Sequence, residues 1–335
     1  MKILKWLLIV LLILAGLVLI VPAFLPATTI ISAEADIAVG PDEVFHSAAL
    51  YLNRDQWDPW LQMEPEAKVT IEPKEGYIGS TYSWEGDKIG YGMMKVEKVV
   101  FGKEIQSTIW FGEDPDSSLV EWHLEKTDEG THVTWNFVAD GKYPFGRLMM
   151  MMMSGGMQNS FESGLASMKE IIEADPPKLY KTGEIQVGMM KKMHTLVIPM
   201  EGTMEEMSQQ MGNMFKMLFG EVAKQGLQMA GTAFSYYIDF DEETGYAHAL
   251  LGLQIAEPGK ASGDIKSKTF KEQEVVMLPH YGKYDYLKDS YETLTKYTEE
   301  NGMKLTGGAF ELYKTTMMES DNPMDWLTVI AFPLK

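Results

Sequence analysis

The sequence contains no cysteine. That excludes a disulfide framework, a thiolate metal site and a cysteine nucleophile, and leaves no thiol for acylation. The fold must hold by packing alone. Positive charge is also scarce: 29 Lys and Arg stand against 48 Asp and Glu, for a net charge of −19. Nucleic acid and anionic lipid headgroups both select clustered Lys and Arg, so no nucleic-acid partner is expected. The chain lacks a G-x-S-x-G elbow, a phosphate-binding glycine loop, H-E-x-x-H and a dinucleotide fingerprint. No cofactor is expected.

Charge is missing altogether from one stretch. The residues from Trp6 to Leu25 are mostly Leu, Ile and Val without one charge, long enough as a helix to span the ~30 Å hydrocarbon core. Lys2 and Lys5 precede the run, and Glu34 and Asp36 are the first charges after it. The positive-inside bias then puts the N-terminus in the cytoplasm and the rest of the chain on the outer or periplasmic side. Residues 1–26 are read as a transmembrane anchor, with the membrane crossed by residues 3–25. A cleaved signal peptide is the rival, given Ala23 and Ala27. The apolar core is longer than the usual ~7–15 residues of a signal sequence, and no clean small-x-small step follows it.

Beyond the anchor, Ala174-Asp-Pro-Pro-Lys-Leu-Tyr-Lys-Thr-Gly183 carries two adjacent prolines, which end a helix. It marks a linker, 175–185, between domains at 28–174 and 186–335. In the first, Ile31, Ala33, Ala35, Ile37 and Val39 alternate as a strand does, and Pro41-Asp-Glu-Val-Phe45 opens a helix. Strand composition recurs at 68–73, 79–85, 90–99, 104–111, 118–126 and 131–138, with no helix between, which implies an antiparallel sheet. The Thr127-Asp-Glu-Gly130 turn sets Trp122 opposite Trp135 and Leu124 opposite Val133 on an interior face. A helix near 157–173 follows, with Phe161, Leu165, Met168 and Ile172 at helical spacing.

Strand, short helices, six antiparallel strands and a long terminal helix resemble the START-like superfamily of polyketide cyclases and SRPBCC proteins. The carrying residues are Pro41-x-x-Val44-Phe45, Trp57-x-x-Trp60, Gly79-x-x-Tyr82-x-Trp84 and Phe161-x-x-Gly164-Leu165. The resemblance implies a helix-grip fold with an apolar cavity, for which Trp84, Trp122 and Trp135 are candidate lining residues.

The second domain contains a duplication. Gly226-Leu-Gln-Met-Ala-Gly-Thr-Ala-Phe-Ser-Tyr-Tyr237 aligns without gaps on Gly302-Met-Lys-Leu-Thr-Gly-Gly-Ala-Phe-Glu-Leu-Tyr313, and Ile198-Pro-Met-Glu-Gly202 on Leu278-Pro-His-Tyr-Gly282. Each unit reads as strand, helix, glycine-rich turn and two strands, so the fold class is α+β. The first helix carries Met204, Met207, Met211, Met214 and Leu218 as an apolar stripe; the second, 284–300, has Leu287, Tyr291 and Leu294 inward.

This unit resembles the GyrI-like family, the effector-binding domain of AraC-type regulators. The residues carrying it are His280-x-Gly282-x-Tyr284, Glu311-x-Tyr313 and the terminal strand Leu327–Leu334, while Met317–Pro323 departs from the usual acidic-Pro turn. The resemblance implies a groove for hydrophobic or cationic small molecules with Glu311 at its floor and Tyr237, Tyr284, Tyr313 and Trp326 as walls. The position of Glu311 is Ser235 in the first copy, so only one half-site carries charge. A buried carboxylate loses hydration, and an arriving cation restores the balance.

Other chemistry is weaker. His123, Glu125 and His132 share a strand face that ordinarily meets water. Met149–Met153 and Met157 offer soft ligands for Cu(I), but Met149, Met152, Met153 and Met157 share a helix side that fits the lid of an apolar cavity. A non-enzymatic binding protein is the reading favoured. The alternatives are a hydrolase or cyclase using Glu311 as general base with His280 nearby, and a sensor acting through a separate partner.

Overall fold

The computed structural model describes residues 2–73 and 77–335. They form two compact units, Met1–Lys178 and Leu179–Lys335. At the N-terminus helix α1 (Lys2–Ile20) runs into a 3-10 turn at Val21–Phe24, and Leu4–Phe24 is long and apolar enough to cross a membrane.

In the first unit, strand β1 (Thr28–Ile37) leads into α2 (Pro41–Ala49), with Pro41 at the first helical position and Asp42 and Glu43 beside the positive end of the helix dipole. A short helix α3 (Pro59–Met63) follows, capped by the Asp58 carboxylate, which accepts from the Trp60 and Leu61 N–H groups. Six strands then run consecutively: β2 (Lys68–Glu72), β3 (Thr81–Gly86), β4 (Gly90–Val100), β5 (Glu104–Phe111), β6 (Ser117–Thr127) and β7 (Gly130–Asp140). The sheet is antiparallel in the order β1-β7-β6-β5-β4-β3-β2. The β6–β7 hairpin has the register read from its turn: Trp122 faces Trp135 and Leu124 faces Val133.

Helix α4 (Phe145–Ala174) closes the unit and buries Phe161, Leu165, Met168 and Ile172 against the sheet. It starts at 145 rather than near 157, because the methionine run is itself helical. Within that run Met150 is buried and Met157 packs on the core, while Met149, Met152 and Met153 are exposed. The side expected to face a cavity is therefore mostly the outer side, since Met150 and Met157, seven apart, continue the stripe of Phe161 and Leu165.

The second unit starts inside the expected linker. Tyr180–Thr182 is a strand, β8, because Tyr180 stacks on His280 at 5.5 Å and its hydroxyl donates to Asp289. Then come β9 (Gln186–Met190), β10 (Met193–Thr203), α5 (Met204–Lys224), β11 (Met229–Phe240), β12 (Tyr246–Ile255), β13 (Lys266–Phe270), β14 (Gln273–Gly282), α6 (Leu287–Glu300), β15 (Ala309–Thr315) and β16 (Leu327–Pro333). They form one sheet, ordered β13-β10-β12-β11-β15-β16-β14-β8, with β9 also on β14.

The duplication is visible in the backbone. Gly202 and Gly282, matched in the alignment, end β10 and β14 with φ of 143° and 141°, and Gly226 and Gly302 follow the helices with φ of 66° and 62°. L side chains are strained there, so these glycines are set by geometry. A pseudo-twofold axis passes between β11 and β15. Along one row the paired residues run Ile198, Leu251, Ser235, Glu311, Ile330, Leu278. Ile198 and Leu251 pack with Met207 and Leu218 of α5, and Ile330 and Leu278 with Leu294 of α6. Both helices thus cover one face, and Ser235 and Glu311 meet between them. On the other face Phe234 and Phe310 pack with Phe270.

Candidate functional site

Glu311 sits at the centre of that row, 3% exposed. Tyr291 of α6 donates to Oε1 at 3.0 Å and Tyr313, two residues along the same strand, donates to Oε2 at 2.8 Å. The Tyr313 oxygen also shares a 2.8 Å hydrogen bond with the Ser235 hydroxyl. Two phenols solvate the carboxylate, and no Lys, Arg or His pairs with it among the described residues. Burial pushes the Glu311 pKa up, and the two phenolic hydrogen bonds only partly oppose this. The phenols titrate high in turn: burial, then the Glu311 charge, pushes Tyr284 up to about 12 and raises Tyr237, Tyr291 and Tyr313 as well.

The walls are aromatic. Tyr284 stands edge-on to Tyr313 at 6.1 Å and stacks on Trp326 at 5.5 Å. Trp326 is fixed by its indole N–H, which donates to the Ser320 carbonyl at 2.7 Å, so the atypical 317–323 loop holds this wall in place. Asn322 caps the turn by accepting from the Met324 N–H. From the other half, Phe215 of α5 approaches Tyr313 edge-on at 6.3 Å, and Tyr237 packs with the α5 cluster. The structure therefore brings Glu311, Tyr313, Tyr284, Trp326 and Tyr237 into one neighbourhood, and adds Tyr291 and Phe215. Tyr291 was legible as an inward position of α6. Its hydroxyl gave the missing signal, since a buried phenol ordinarily finds a partner. Phe215 fell outside the methionine stripe that drew attention to α5.

His280 does not join this group. Its Nδ1 bonds the Ser290 hydroxyl at 2.8 Å and its Nε2 the Lys283 carbonyl at 3.1 Å, while Tyr180 covers its ring face. Burial lowers its pKa. Both nitrogens are committed to holding the β14–α6 connection, so His280 offers no free nitrogen for the hydrolase or cyclase alternative.

In the first unit Trp122 and Trp135 are not free to line a cavity. They stack at 4.5 Å, and Trp135 stacks on Phe161 at 4.0 Å, with Trp57 edge-on to both indoles. Those distances leave no gap for a ligand between the rings. Trp84 lies further out, against Tyr82 and Phe111. Deep in this cluster Arg54 is buried, its Nε 2.6 Å from Asp58 and its guanidinium 5.0 Å from the Trp57 ring centre. Burial works against the Arg54 charge, and Asp58, together with the Tyr82 and Tyr51 phenols, more than offsets it. His123, Glu125 and His132 lie on the outer sheet face as expected; His132 bonds Asp36.

Residues 28–173 match the family described as polyketide cyclase / dehydrase and lipid transport, and residues 183–335 match the GyrI-like small molecule binding domain. The chain joins a polyketide cyclase-like domain to a GyrI-like domain. Solved structures similar to it include the EcmrR C-terminal domain, 21% identical over 47% of this chain and 98% of that one, with a TM-score of 0.42. Others are SAV2435 bound to tetraphenylphosphonium (14% identity, 46% and 94% covered, TM-score 0.33) and the Aha1 dimer from Colwellia psychrerythraea (18%, 43% and 96%, 0.33). No curated protein matches the chain.

Proposed function

We propose that this is a membrane-anchored small-molecule-binding protein whose GyrI-like groove takes hydrophobic cations. α1 would hold both domains on the outer or periplasmic side, next to a bilayer in which such molecules concentrate. What carries the reading is Glu311, a buried carboxylate solvated by two phenols and paired with no cation among the described residues. An arriving cation supplies the missing charge, and each aromatic face adds about 0.5–2 kcal/mol of cation–π attraction. Tyr284, Trp326 and Phe215 are placed for that contact. Binding is favoured over hydrolysis because each Glu311 oxygen already accepts a phenol and His280 is engaged elsewhere.

The test is calorimetric titration of the detergent-solubilised full-length protein with tetraphenylphosphonium and with a neutral analogue of the same shape. Glu311→Gln is expected to weaken the cation far more than the neutral compound. Equal loss for both, or no binding of the cation by the wild type, refutes the reading.

A further inference from the structure

We infer that the first half of α4 lies on the surface of the bilayer that α1 crosses, with Phe145, Met149 and Met152 in contact with lipid. This rests on α1 spanning a membrane. The start of α4 is tied to the point where the apolar span ends. The Tyr143 hydroxyl donates to the Leu19 carbonyl, and Arg147 Nη1 donates to the carbonyls of Pro22 at 3.1 Å and Leu25 at 3.2 Å. These carbonyls belong to the end of α1 and the turn after it, where Pro22 also accepts from the Leu25 N–H. Whatever depth α1 sets, α4 starts beside it.

The outer side of α4 is then wrong for water. Phe145, Met149 and Met152 follow at i, i+4 and i+7, one face of the helix, and are 72%, 53% and 80% exposed. Phe24, at the same junction, is 85% exposed. Met150 and Met157 occupy the opposite side, in the core, so the exposed residues are surplus to folding. Charge points the same way. From Gly141 to Phe161 there is no Asp or Glu, in a chain that has 48 of them in 335 residues. Of the two cations in that stretch, Arg147 turns its Nη1 to the carbonyls and Lys142 pairs with Asp116. A solvated helix face ordinarily carries charge, whereas an apolar, acid-free face beside a membrane span suits the interface, with Tyr143 and Lys142 at headgroup level.

The cysteine-free chain allows single nitroxide labels at Phe145→Cys and Met152→Cys in full-length protein in phosphatidylcholine nanodiscs, with Leu11→Cys as the probe of the span and Lys126→Cys as the aqueous probe. Power saturation should give labels at 145 and 152 an oxygen-to-nickel-chelate accessibility ratio several-fold above that at 126, with a logarithm of the same sign as that at 11. Chelate-accessible labels at 145 and 152 with a lipid-like label at 11 overturn the inference and leave the anchor standing. A chelate-accessible label at 11 overturns the anchor and the inference with it. Strong dipolar broadening between labels at 152 overturns it in favour of a second copy of the chain covering this face.

Discussion

In the first unit Arg54 and Asp58 are both buried and meet at 2.6 Å, with the Asp58 carboxylate also accepting two backbone N–H groups. In the second, Glu311 is as deeply buried and meets only neutral phenols. The first arrangement is balanced within the fold: its charges cancel, and both Asp58 oxygens accept hydrogen bonds. The second is complete only in hydrogen bonds. A charge left unbalanced in a well-packed interior costs stability, and such costs persist where something outside the fold removes them. The contrast separates a balanced charge pair from an unbalanced carboxylate without reference to any relative. It recurs inside the second unit, where Ser235 holds the position related to Glu311 by the pseudo-twofold and carries no charge.

The largest effect expected is on the structural pair. Arg54→Met leaves Asp58 buried without its cation and should cost about 3–5 kcal/mol, measured by urea unfolding, while cation binding in the second unit stays intact. A loss under 1 kcal/mol would mean that Asp58 relies on its N–H donors alone. Next, Glu311→Gln should reduce hydrophobic-cation affinity by about 2–5 kcal/mol, read by calorimetry, with the unfolding of the first unit unchanged. A third effect is pH-dependent. His46 is held by the Tyr77 hydroxyl at 2.8 Å, and burial lowers its pKa from 6.5 to about 4. The unfolded chain then binds the extra proton, so stability present above pH 6.5 is lost as pH falls toward 4, by at most about 3 kcal/mol. His46→Gln should flatten that part of the profile in thermal melts. The smallest is Tyr313→Phe, which removes one donor to Glu311 and the bond to Ser235, for about 1–2 kcal/mol of stability and a further rise in the Glu311 pKa.

Much of this was legible in the residues. The turn at 127–130 fixes the Trp122–Trp135 register, and the aligned repeats match Glu311 to Ser235, which the structure then pairs across β11 and β15. Periodicity located the stripes on α4 and α5. Three features were not legible. Trp122 and Trp135 had the right face but not a free one, since stacking depends on α3 and α4 closing over them. The sides of the methionine run come out mostly reversed, with Met157 alone of the expected side on the core, because five consecutive identical residues carry no periodic signal of their own. His280 has a catalytic residue type, and only the carbonyl of Lys283 and the hydroxyl of Ser290 reveal that it is fully used.

The unbalanced state of Glu311 can be measured without any ligand, by comparing the unfolding free energy of wild type and Glu311→Gln across pH. Because its pKa is raised in the folded state, the folded chain binds the extra proton, so the penalty of burial is absent below the ordinary carboxylate pKa and complete above the raised one. Glutamine removes the charge and keeps one acceptor oxygen, while its NH2 group can donate to the phenol oxygen on the other side. The variant should therefore be more stable than wild type at neutral to alkaline pH, with an advantage that disappears on acidification. A variant less stable than wild type at alkaline pH, or a difference independent of pH, would contradict the assignment of Glu311 as an uncompensated charge.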